Sequence, residues 1–236
     1  MLRKSIMAAA AVCAALTLTS CFGNEDYMYS GLEMVNVVSQ NRLQNDDGTV
    51  FNIVESVVGN LPADVKRAMI SCDVLKNTEG KTGEYDIRLL DFAQSLVKDP
   101  VLSGAAVPDT LGNDPICANQ IWMTKGYING LFQVIVLDGS KQEHTVNLVY
   151  DEARSHSDTL FFNIRHNAYG DSIEPQENRD KYYYYNSGYF SFPVSAYIPE
   201  GKESVVVHLD WDWFETAGGA LIIQRKHCKG DITYKP

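Results

Sequence analysis

An exported chain built from two consecutive all-β domains, a small OB-like barrel followed by an antiparallel β-sandwich, is the fold this sequence predicts. Three observations predict it. Short apolar runs alternate with period two along most of the chain, they are separated by Gly, Asn, Asp and Pro turns rather than by helical spacings, and a Pro/Gly-rich stretch divides them into two groups.

The first twenty residues stand apart. Arg3 and Lys4 precede an uncharged apolar stretch from Ser5 to Leu18. A membrane-spanning helix needs about 20 apolar residues, whereas the apolar part of an export signal runs about 7–15, so residues 1–20 read as a signal peptide. The signal ends in Leu18-Thr19-Ser20-Cys21, which resembles the lipobox of bacterial lipoproteins. That resemblance implies cleavage before Cys21, diacylation of its thiol and acylation, for example with palmitate, of the new amine. One acyl chain alone holds a protein only marginally at a membrane, which is the physical reason for several. The segment 21–30 then reads as a polar tether.

Removing Arg3 and Lys4 with the signal leaves 18 Lys+Arg against 30 Asp+Glu, a formal charge of −12. Such a balance argues against nucleic acid and against electrostatic docking on anionic lipid, both of which need basic patches. The membrane partnership therefore rests on the lipidated N-terminus.

The barrel is placed at residues 31–103. "MVNVVSQ" leads to "NDDGTVFNIVES", in which Asp47 and Gly48 mark a hairpin. "KRAMISCDVL" follows, with Ala68, Ile70, Cys72 and Val74 on one face, so Cys72 reads as a core residue. After the turn "NTEGKTGE", the run "YDIRLLDFAQSLVKD" reads as a strand with a brief helical turn. Four or five strands in about 70 residues suit a small closed barrel. "EGKT" lacks the glycine that a phosphate-binding loop needs five residues before its Gly-Lys pair, and is a turn.

Residues 104–118 form the Pro/Gly linker, and 119–236 the sandwich. Its strands are "QIWMTKGYINGLFQVIVL", "KQEHTVNLVYDE", "DTLFFNIRHN", "YYYYNSGYFSFPV" and "ESVVVHLDWDWF". In the last, Val205, Val207, Leu209, Trp211 and Trp213 share one face; Val206, His208, Asp210, Asp212 and Phe214 share the other, read as a solvated acidic face.

These segments together resemble the NigD-like family of bacterial lipoproteins. The resemblance is carried by the lipobox, the "DDG" hairpin, "DPI", "W…GYIN…F", "HTVNLVYD" and above all "RHNAYGD" (Arg165 to Asp171) followed by "GYFSFPVS". It implies an N-terminal OB-like domain and a C-terminal β-sandwich, and a place in the envelope of a Gram-negative bacterium, at the outer membrane, with periplasmic or surface orientation left open. No molecular activity comes with it.

Candidate site residues are few. No Cys/His spacing suits a metal and there is no G-x-S-x-G nucleophile, so neither cofactor nor metal is expected. Within "RHNAYGD", Arg165, His166, Asn167 and Asp171 form one candidate binding set, beside the plainer reading that Asn and Asp side chains satisfy backbone amides in a turn through Gly170. Tyr182, Tyr183, Tyr184 and Tyr185 form the second, because rings with polar tips bind glycans and proteins well. In a strand, two of them are expected to face the core and two to face out. Cys117 and Cys228 are candidates for a disulfide, with pairing left open. Function is read as a non-enzymatic, lipid-anchored binding module for a protein or glycan. The alternatives are a carbohydrate-active hydrolase using Asp210 and Asp212, or a structural subunit of a surface complex.

Overall fold

A computed structural model describes residues 27–103, 109–217 and 220–235. The signal peptide and Cys21 lie outside the described residues, as do positions 104–108 of the linker. Among the described residues the regular structure is β, with three short 3-10 turns and no α-helix.

The N-terminal strands are β1 (Tyr29–Ser39), β2 (Arg42–Asn45), β3 (Val50–Ser56), β4 (Arg67–Asn77) and β5 (Glu84–Val97). The hairpin between β2 and β3 turns at Gly48 with φ 97°, a left-handed conformation that glycine adopts without a Cβ penalty. Antiparallel β1–β2, β2–β3, β1–β4 and β4–β5 pairs, closed by a parallel β3–β5 pair, make a ring ordered β1-β2-β3-β5-β4. Closure removes free edges and is consistent with the expected OB-like barrel. The alternation in β4 fills its centre: Ala68, Ile70, Cys72 and Val74 are all buried there with Phe51 and Leu89.

The helical turn expected in "YDIRLLDFAQSLVKD" is not formed; the segment is one 14-residue strand. Three partner strands hold it extended in succession. Its first part closes the barrel against β3 and β4, and its end, Ser95–Val97, pairs in parallel with Tyr189–Ser191.

The remaining strands are β6 (Val101–Leu102), β7 (Cys117–Thr124), β8 (Tyr127–Leu137), β9 (Thr145–Tyr150), β10 (Thr159–Asn167), β11 (Tyr183–Pro193), β12 (Val205–Ala217) and β13 (Ala220–Tyr234). One sheet runs β3-β2-β1-β4-β5-β11-β8-β7 and therefore extends from barrel into sandwich; the other runs β13-β12-β10-β9-β6. Between them lies the main core, with Ile128, Leu148, Phe162, Phe190 and Leu209 at its centre. Gly130 is required there, since a Cβ on it would sit 2.3 Å from the Phe190 ring. β13 was not singled out from the sequence. Its run of Arg225, Lys226, His227 and Lys229 conceals the alternation, as suits an edge strand with one side open to water.

Candidate functional site

The segment Arg165–Asp171 ends β10 and its side chains separate by face. Ile164 and His166 point into the sandwich, while Arg165 and Asn167 lie on the outer side. His166 is 2% exposed. Its Nδ1 lies 2.9 Å from the Pro115 carbonyl, which can only accept, so Nδ1 carries the hydrogen. Its Nε2 is 3.0 Å from His144 Nδ1, and His144 Nε2 is 2.9 Å from Asp171 Oδ2. Asp171 Oδ1 accepts the Leu137 N–H at 3.2 Å. Burial, and then the neighbouring His144, push the His166 imidazole down to about 4, so it is held neutral.

Asn167 plays the turn role. Its Oδ1 accepts the Tyr169 N–H at 2.8 Å and its Nδ2 donates to the Thr110 carbonyl at 2.9 Å. Tyr169 carries a positive φ of 51°, which this bond helps to hold. The four candidate residues of "RHNAYGD" thus do not converge. His166 and Asp171 join a buried chain through His144, Asn167 shapes a turn, and Arg165 belongs to a different pocket.

That pocket, about 160 Å3, lies on the outer face of the five-stranded sheet and is lined by Asn113, Asn163, Arg165, Asp210, Asp212 and His227 among others. The solvated acidic face expected of β12 is corrected here. Asp210 is 6% exposed, bonded by Arg154 Nη1 at 3.1 Å and approached by His227 Nε2 at 3.5 Å. Asp212 meets His227 Nδ1 at 3.0 Å and Asn113 Nδ2 at 2.9 Å, with Arg225 at 3.9 Å. Phe214 is buried too, in a small cluster with Ile135, Leu137 and Ile173, where a register shift interrupts the β12–β13 ladder. Arg154, Arg225 and His227 reach over β12 from other segments, so Asp210 is buried and Asp212 is left only partly exposed.

The tyrosine run also departs from expectation: all four of Tyr182–Tyr185 are exposed. The strand does alternate, but β5 pairs only with Tyr189–Ser191, so Tyr183–Tyr185 have β8 beside them on one side alone. Tyr183 and Tyr185 meet edge to face, ring centroids 6.0 Å apart. Tyr184 turns the other way, into a cleft of about 550 Å3 between the two sheets. Phe132, Val134, Val136 and Val146 line it with apolar surface, and Lys98, Asn186 and the 140–145 segment bring polar groups. His144 lines the same cleft, so the His166–His144–Asp171 chain supports its wall. Leu96 and Lys98, at and just past the end of β5, and Asn186 in β11 carry no local motif that marks them as site residues.

Chemically, the cleft offers an aromatic ring over an apolar wall with amide, ammonium, carboxylate and imidazole groups around it, a lining able to hold a polar molecule. Among the described residues no group of three or more His, Cys, Asp or Glu is placed to hold a metal ion.

Comparison with known proteins places this geometry in a lineage. Solved structures share the fold across almost the whole described chain. One is a candidate toxin-related protein from Parabacteroides distasonis ATCC 8503, at 24% identity over 87% of this chain and 93% of that one, with TM-score 0.61. Another is a NigD-like immunity protein from Bacteroides caccae ATCC 43185, at 20% identity over 87% and 97%, TM-score 0.60. A third is a candidate lipoprotein from Bacteroides fragilis NCTC 9343, at 13% identity over 88% and 98%, TM-score 0.62. At such identities the likeness is one of fold. No match was found among curated proteins. The model of the NigD-like C-terminal β-sandwich domain, however, matches residues 100–220. That is more than half of the chain and includes β8 to β12, which supply most of the lining of the cleft and the outer pocket, so this protein belongs to the NigD-like family.

Proposed function

We propose that this chain is a lipid-anchored envelope protein, held at the outer membrane through Cys21, which binds a glycan in the cleft beside Tyr184 and catalyses no reaction. In this reading residues 31–103 and 119–236 are its two domains, with 104–118 between them. The observation that carries the proposal is Tyr184 itself: an exposed ring at the mouth of a cleft that also presents Asn186, Gln142 and Lys98. A ring face stacks on the C–H surface of a sugar, while amides and ammonium groups take its hydroxyls. The fold shared with a candidate lipoprotein supports the anchor.

The hydrolase reading is disfavoured by the surroundings of Asp210 and Asp212. A glycosidase pair needs one carboxyl held protonated to act as acid, whereas both of these face cationic or amide donors. A second binding reading, in which the occupant is a protein, is favoured by one observation, the shared fold with a NigD-like immunity protein. A glycan array probed with the acylated protein in detergent tests the proposal. Capture lost in Tyr184→Ala is the expected result; capture of an envelope protein but no glycan favours the second reading. Polysaccharide turnover abolished by Asp212→Asn would hand the function to a hydrolase.

A further inference from the structure

Neither the cleft nor the outer pocket uses the two partly exposed cysteines, yet the fold brings their strands together. Cys117 opens β7, at the edge of the eight-stranded sheet, and Cys228 lies in β13, at the edge of the five-stranded sheet. β7 comes within 8 Å, Cα to Cα, of both β12 and β13. The contact is specific. Ile116 donates its N–H to the Asp212 carbonyl at 2.8 Å, and Asp212 pairs with His227, the residue before Cys228. The start of β7 is thereby fixed one residue from the Trp211–Cys228 pair of the β12–β13 ladder.

Both thiols have little to lose by moving. Cys117 Sγ meets Asn119 Oδ1 at 2.7 Å on its own strand, and Cys228 Sγ approaches the Lys226 carbonyl at 3.7 Å and the Trp213 backbone across the ladder. Cys117 also feels Cys228: burial first, then the charge of Cys228, push the Cys117 thiol up to about 11. Cys72 stands apart, sealed in the barrel core and pushed up to about 12, chiefly by burial. Thiols so protonated are slow to react unaided, so a catalysed oxidant is needed.

We infer that Cys117 and Cys228 form the disulfide site of this protein, a covalent staple between the edges of its two sheets, closed after export. The oxidant is a protein disulfide of the kind that serves an oxidising compartment. One cysteine thiolate attacks a sulfur of that disulfide, and the other oxidant sulfur leaves as a thiolate. The second cysteine then attacks the mixed disulfide; the Sγ–Sγ bond forms and the oxidant departs as a dithiol, having gained the two protons and two electrons the protein thiols lose. The staple sits where β12 and β13 pass from the five-stranded sheet toward the cluster around Phe214, so it locks the hairpin that carries Asp210, Asp212 and His227.

The test uses the full chain with its own N-terminus, expressed in a Gram-negative host and taken from membranes. It is denatured in iodoacetamide without reductant and digested. The expected product is a linked peptide pair containing Cys117 and Cys228, about 2 Da lighter than the two free-thiol peptides together, with Cys72 alkylated. Reduction should lower the melting temperature by about 5–15 °C, and Cys117→Ser/Cys228→Ser should show that lower value with or without reductant. Separate alkylation of Cys117 and Cys228 in the wild-type chain overturns the inference, as does a link from either one to Cys72 or to a second chain. The peptide readout needs no variant, so a variant that fails to fold leaves the test decisive.

Discussion

Arg67 Nε donates to Ser191 Oγ at 3.0 Å, joining barrel strand β4 to sandwich strand β11 across 124 residues of sequence. Arg67 is 1% exposed and uses its whole guanidinium. Nη1 reaches Asn36 Oδ1 at 2.8 Å and Asp46 Oδ1 at 2.7 Å, Nη2 reaches Asn129 Oδ1 at 3.1 Å, and the cation lies 4.1 Å above the Tyr127 ring. Burial alone would raise the Asp46 carboxyl, but hydrogen bonds from Arg67 and Thr124 and the Arg67 charge bring it below its ordinary value. A buried cation of this kind is tolerated only while every donor is matched.

Asp46→Ala should therefore destabilise the protein by about 3–5 kcal/mol, because it strands a buried guanidinium rather than merely deleting a contact. Urea unfolding of the wild type and variant measures this, and a loss below about 1 kcal/mol would show that water reaches Arg67. Removing both charges in Arg67→Met/Asp46→Leu should cost less than Asp46→Ala alone.

Stability should fall on mild acidification through His166. An unfolded histidine titrates near 6.5 and the folded one at about 4, so between those values the unfolded chain binds the extra proton. The contribution is fully present above about 6.5 and is lost as pH falls toward 4, with a total near 3 kcal/mol for a shift of that size. His144, Asp114 and Asp171 share the neighbourhood. His166→Asn keeps a donor for the Pro115 carbonyl and cannot titrate, so unfolding free energies measured from pH 7.5 to 4.5 should slope less in the variant. Parallel slopes would remove His166 as the origin.

Tyr184→Ala should weaken glycan capture at least tenfold, about 1.4 kcal/mol, and change the melting temperature by no more than about 2 °C. Tyr183→Ala/Tyr185→Ala is the control, since those rings pack on each other and turn away from the cleft. Equal losses in both variants would move the binding face elsewhere.

Cys21→Ser should abolish labelling by a fatty-acid analogue and release the chain from membranes or leave it unprocessed, since −12 of formal charge offers no substitute attachment to anionic lipid. Retained label in the variant would refute the anchor.

Strand positions and the all-β class were legible in the sequence because alternation is local. Ala68, Ile70, Cys72 and Val74 declare one buried face whatever stands opposite, and the Asp47-Gly48 hairpin depends only on its own backbone. Alternation reports that a face is covered but not what covers the other one. Hence the burial of Asp210 and Phe214 depended on Arg154, His227 and Ile135, which reach β12 from other strands and loops. The end of β5 is held extended by β11 beside it, and the four tyrosines are all exposed where β11 has left β5 and keeps only β8 as neighbour. The cleft has no sequence signature, since Lys98, Val134, His144 and Tyr184 become neighbours only when two sheets close. The motif marks His166, but its neutrality is decided by burial within the sandwich and by an imidazole 22 residues away, surroundings that exist only in the folded chain.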